Sequence, residues 1–178
     1  MLSGRFGNTT GRPYIEGRIL LPRLHIVGDV SFLIHTGADC SVLMPLDGTR
    51  MAIDYSQLQN VVSSLGIGGV TRDCSEAAII AFSDGINVYV YTPTIRISTP
   101  SPDIMGVPSL LGRDVIHRWE LNYDFSQNSI IMNVRSADFT LPISSALPVS
   151  QAHLAPASPN IGRLEPTTSR PFPSNSAA

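Results

Sequence analysis

An all-β fold with one short helix is predicted by three features of the chain. Short apolar runs recur between turn residues, as in Phe32-Leu33-Ile34 and Ala77 to Phe82, and such runs read as buried strands. Ile86, Val88 and Val90 alternate with Asn87, Tyr89 and Tyr91, the two-residue period of a sheet whose faces are covered differently. Helical spacing is confined to Val115, Ile116 and Trp119 and to one turn near Tyr55 to Gln59.

Composition bounds the rest. The 178 residues fit one domain, and 43% hydrophobic content supports a core, with aromatics at 7% and charged residues at 15%. A net charge of -2 without an arginine or lysine cluster argues against a nucleic-acid partner. The apolar stretches are too short to span a bilayer, and Met1 to Arg12 lacks the apolar core of a signal peptide. Cys40 and Cys74 form no C-x-x-C and read as reduced thiols of a cytoplasmic protein, with a single disulfide as the alternative.

In chain order, residues 1–13 read as a loose polar arm. Tyr14 to Leu21 is the first strand, ended by Pro22. His25 to Ile34 reads as a hairpin turning at Gly28-Asp29. Phe32 to Ile34 then enters a tight turn, His35-Thr36-Gly37-Ala38-Asp39, and Val42-Leu43-Met44 leaves it. Polar groups held between buried strands need hydrogen bonds and often serve function. Leu46 to Asn60 reads as loop.

Val61 to Leu65 and Thr71 to Phe82 flank Gly66-Ile67-Gly68-Gly69-Val70 as a long hairpin with a glycine-rich tip. After a Ser83-Asp84-Gly85 turn, Ile86 to Ile97 reads as one long strand and Thr99 to Pro108 as loop. Ser109-Leu110-Leu111-Gly112-Arg113 leads into a helix over Asp114 to Trp119, with Asp114 as its cap. Leu121 to Asp124 and Ser129 to Val134 form a closing hairpin. The body thus covers residues 14–136, and residues 137–178, rich in Pro, Ser, Ala and Thr, read as a disordered tail on which Phe139 and Leu141 can still dock.

Three of these segments together resemble the retropepsin-like (retroviral-type) aspartic peptidases. The loop resembles apolar-apolar-Asp-Thr-Gly-Ala-Asp-x-Ser-Val-Leu, with His35 where the family has its catalytic aspartate. Ile67-Gly68-Gly69-Val70 resembles the tip of the flap hairpin that covers substrate, and Leu110-Leu111-Gly112-Arg113-Asp114 resembles the segment entering the family's helix. The resemblance implies a partly open all-β barrel with a flap and one short C-terminal helix. It implies catalytic positions His35, Thr36 and Gly37, and substrate-binding positions Ala38, Asp39, Ile67, Gly68, Gly69 and Val70. Leu111, Gly112, Arg113 and Asp114 would give structural support, with Arg113 paired to Asp39 in a buried or half-buried salt bridge.

The family's chemistry uses two carboxylates sharing one proton, one activating water and the other acting as acid. It needs neither metal nor cofactor. One such loop per chain implies a homodimer with the site on its two-fold axis, acting on a peptide or protein substrate. His35 replaces that dyad with two imidazoles, which lack the shared-proton geometry and repel when both are charged. The expectation is therefore an inactive member or an Asp→His form of an active enzyme, with a non-catalytic peptide-binding module as the alternative. A zinc ion between two His35 rings would fall short of the usual three or four ligands. His25, His117 and His153 show no ligand spacing, and Ser41 has no His/Asp partner at a recognisable spacing.

Overall fold

The computed structural model describes residues 1–66 and 69–143, with the side chains of 64–71 excepted, and all of these lie in one compact unit, Met1–Leu147. Thirteen strands and two short α-helices are present among the described residues: β1 (Leu2–Phe6), β2 (Pro13–Leu21), β3 (Ile26–Ile34), β4 (Val42–Leu43), α1 (Pro45–Arg50), β5 (Val61–Gly66), β6 (Gly69–Ala77), β7 (Ile79–Ser83), β8 (Asn87–Tyr91), β9 (Thr94–Ser98), β10 (Leu110–Leu111), α2 (Arg113–Ile116), β11 (Trp119–Asp124), β12 (Ser129–Val134) and β13 (Phe139–Pro142). The main path runs β11-β12-β1-β2-β3-β10-β4-β9-β6-β5. β7 joins at β2, β8 pairs β7, and β13 pairs β8. The fold is all-β, as the alternation and the short apolar runs predict.

Several local expectations are corrected. The segment 1–13 is no loose arm, because Leu2 and Phe6 are buried and β1 pairs both β12 and β2. A glycine hides this strand in the sequence: a Cβ on Gly4 would lie 2.7 Å from the Tyr14 carbonyl oxygen. His25 to Ile34 is no hairpin either. β3 pairs β2 without interruption from Ile26↔Leu21 to Leu33↔Tyr14. The chain reverses earlier, in a 3-10 turn at Pro22–Leu24 closed by His25 at φ 54. Gly28 makes room for Met51 instead of turning the chain, since a Cβ there would meet Met51 Cγ at 2.8 Å.

Leu46 to Arg50, read as loop, is helical in α1, which starts on Pro45 at a position where proline's missing N–H costs nothing. The long strand expected over 86–97 is two, β8 and β9, parted at Thr92-Pro93; the Pro93 carbonyl accepts from Ala78 N–H at 3.0 Å. The tail expected from 137 begins with β13, whose Phe139 and Leu141 pair with Val90 and Val88. The rest of the tail, 144–178, and the hairpin tip at 67–68 lie outside the described residues.

The core gathers Ile15, Ile19, Val30, Phe32, Ile80, Phe82, Tyr91, Ile95, Ile97, Leu111 and Trp119. Phe82, Tyr91 and Trp119 meet edge to face, with centroids 5.1 to 6.0 Å apart. The Tyr91 hydroxyl accepts from Trp119 Nε1 at 2.6 Å and donates to the Ser136 carbonyl at 3.2 Å. Burial raises its pKa first of all, while the indole N–H contact opposes that shift. Tyr91→Phe strands a buried indole N–H, so we expect a loss of about 1–3 kcal/mol in urea unfolding. An unchanged midpoint would show that the indole finds another acceptor.

Candidate active-site loop

The site is built by inserting one strand between two others. β10 pairs β3 in parallel, Leu111 against Ile34, and β4 in antiparallel, Leu110 against Val42. β3 and β4 are thereby held apart, and residues 35–41 must cross the gap as a loop. Leu111, fully buried behind that loop, accepts His35 N–H through its carbonyl at 3.0 Å. The Ala38 N–H returns to the His35 carbonyl at 3.1 Å and closes a tight turn over Thr36 and Gly37. His35, Thr36, Gly37 and Asp39 are exposed and Ala38 is half-buried. The imidazole lies over Gly37, where a Cβ would be 3.2 Å from His35 Cε1.

The outgoing half of the loop is fixed by α2. Arg113 N–H donates to the Ala38 carbonyl at 2.9 Å and Asp114 N–H to the Asp39 carbonyl at 3.3 Å. Asp114 is not the helix cap; Gly112 stands at that position without a side-chain bond, and the helix ends at Ile116 with Trp119 already in β11. The Asp114 carboxylate instead accepts from Ser41 N–H and from Ser41 Oγ, both at 2.9 Å. Ser41 Oγ in turn accepts from Gly112 N–H at 3.1 Å. Ser41 therefore has an acidic partner after all, 73 residues away, which no sequence spacing discloses. With 1% exposure, it braces the loop and is no nucleophile.

Arg113 and Asp39 do form an ion pair, but their side chains are 42% and 85% exposed in the single chain, not buried. An exposed pair gains little in water. Arg113→Ala should therefore cost no more than about 1 kcal/mol in the isolated chain, measured by denaturant unfolding at a concentration where sedimentation shows single chains. A loss of several kcal/mol would mean the pair is buried in the folded state.

Surface depressions are lined by Glu16, Arg18 and Val88, by Phe6, Phe125 and Asn128, and by Tyr91, Asp114 and Arg118. His35, Thr36, Gly37 and Asp39 are exposed to solvent in the single chain. Cys40 and Cys74 are both free. Among the described residues no three His, Cys, Asp or Glu side chains come together as a metal site, and no helix is long and apolar enough to cross a membrane. Of the expected substrate-facing residues, Ile67 and Gly68 lie outside the described residues, while Gly69 and Val70 begin β6 opposite Gly66 and Leu65.

Comparison with solved structures identifies the architecture. A retropepsin-like aspartic protease from Rickettsia conorii matches over 79% of this chain and 92% of its own, at a TM-score of 0.51 and 17% identity. This chain has a retropepsin-like fold. The EIAV protease complexed with the inhibitor HBY-793 also matches, over 62% of this chain and 90% of its own, at a TM-score of 0.43 and 22% identity. No protein-family model matches the chain, and no curated protein matches it by sequence. Within this retropepsin-like fold, the loop held apart by β10 is where the sequence places His35, Thr36 and Gly37.

Proposed function

We propose that the chain is one half of a homodimeric aspartic endopeptidase scaffold in which His35 occupies the position of the catalytic aspartate, so that this form cleaves peptides little or not at all. The observation that carries the reading is the exposed His35-Thr36-Gly37 turn, pinned by one backbone bond to Leu111 and closed by the Ala38 N–H bond to the His35 carbonyl. A site that is open in one chain becomes a cleft when a second copy brings the same loop across a two-fold axis. Thr36 then braces the two loops, Gly37 lies against the substrate backbone, and Ala38, Asp39 and the tip at Ile67-Gly68-Gly69-Val70 line the substrate. The two His35 rings face one another where a proton-sharing carboxylate pair would stand.

A second reading, a non-catalytic peptide binder, draws on the position of β5 at the end of the sheet path with β6 as its sheet partner. An extended peptide can add to such an edge and be held without being cut. Both readings are tested by sedimentation together with incubation in a mixed peptide library between about pH 4 and 7, which brackets carboxylate and imidazole titration. The proposal expects dimers at tens of micromolar and no new peptide ends. A purely monomeric chain would overturn it, and a peptide retained uncut would favour the binder.

A further inference from the structure

We propose that Arg96 is a positioning residue that ties the β5–β6 hairpin to the loop carrying His35. Its place in the sheet puts it between the two. Arg96 lies in β9, opposite Val42 of β4 on one side and Ser75 of β6 on the other. Its backbone N–H donates to the Ser41 carbonyl at 3.0 Å, fixing it to the outgoing half of the loop. The guanidinium then reaches two separate segments at once. Nε donates to Cys40 Sγ at 3.2 Å, within the loop, and Nη1 donates to the Ser63 carbonyl at 3.2 Å, on β5. β5 ends the sheet path, with β6 as its sheet partner, so the bond from Arg96 gives that outer strand an attachment to the loop itself.

The rigid planar fork of arginine can point two nitrogens at two segments, whereas the three donors of a lysine ammonium share one nitrogen at the end of a flexible stem. Arg96 is thereby set to make loop and hairpin move as one unit. If they are the two walls of a peptide cleft, which rests on the function proposed above, Arg96 sets their spacing when substrate enters.

The test reads backbone hydrogen exchange in the full chain without ligand, so it does not depend on catalysis. Arg96→Met, which keeps the stem and loses the fork, should speed exchange at Val61–Ser63 about tenfold, a local opening in the sense of sub-global unfolding. Amides of the β2–β3 pair should not change. Arg96→Lys should restore only part of the protection. Cys40→Ala, which removes the loop-side acceptor, should also loosen Val61–Ser63, while Cys40→Ser should not. Unchanged exchange at Val61–Ser63 in Arg96→Met, acceleration spread equally over β2–β3, or no response to Cys40→Ala would each overturn the coupling. On the His35→Asp background, Arg96→Met should raise KM more than it lowers kcat. If His35→Asp is inert, the function proposed above fails and the exchange result still decides the role of Arg96.

Discussion

His35→Asp is expected to turn the chain into an endopeptidase. The loop is already held in place by backbone bonds, His35 N–H to Leu111 and Ala38 N–H to the His35 carbonyl. The imidazole makes no hydrogen bond or ion pair among the described residues and packs over Gly37, so replacing it leaves the backbone bonds of the turn in place. In the proposed dimer the two aspartates would face each other; they cannot both ionise, so they share one proton, and the pair supplies a base for water and an acid for the peptide. General acid–base catalysis contributes about 10²–10⁴-fold in rate, and we expect at least the lower figure over the His35 form. Cleavage should favour extended apolar segments, be blocked by statine-like mimics, and follow a bell-shaped pH profile whose two limits belong to the pair. Equal, mimic-sensitive cleavage by both forms would mean that His35 is not at the centre of the site. Cleavage by the His35 form that only a chelator stops would point to a metal instead.

Gly112→Ala should give the largest loss of stability among single substitutions near the loop. A Cβ at Gly112 would lie 2.3 Å from the Cys40 carbonyl carbon, 2.5 Å from its oxygen and 2.8 Å from Ser41 nitrogen. These are backbone atoms, so no rotamer change relieves the contact. The backbone at Gly112, φ -92 and ψ -179, is open to any residue, so the cost is steric and not conformational. Overpacking a tight site costs about 1–3 kcal/mol and occasionally more, and a backbone clash belongs at the upper end. Moving Cys40-Ser41 away would also break the Ser41 bonds to Asp114. Gly106, with nothing within 4 Å of its would-be Cβ, is the control: Gly106→Ala should stay within about 0.5 kcal/mol. Equal urea midpoints for the two variants would show that the loop does not pack on Gly112 as described.

The architecture was legible because its signals are local. The alternation at Ile86 to Tyr91 and the apolar runs around the Thr36-Gly37 turn each report a strand face within a few residues. The misread elements are those where tertiary contact overrides local chemistry. Gly28 looks like a turn residue, yet it serves the packing of Met51 within an unbroken strand. Gly4 sits in what reads as a loose arm, and only its distant partners Tyr14 and Ile130 make it a strand. Pro93 marks the break in the 86–97 strand, since proline cannot donate to a strand ladder. In the loop, the Arg113–Asp39 pair follows from the motif resemblance, but its exposure does not, because exposure depends on what surrounds a pair. The Ser41–Asp114 bond and the double contact of Arg96 join residues 73 and 56 positions apart in the chain at the loop, and no local pattern encodes such pairs.

The half-site claim is tested most directly by titrating the His35→Asp form with a tight statine-like inhibitor and counting inhibitor bound per chain. Two loops building one cleft predict saturation at one inhibitor per two chains, with dimers at every inhibited point. Saturation at one inhibitor per chain, or tight binding by a chain that remains monomeric, would contradict the account.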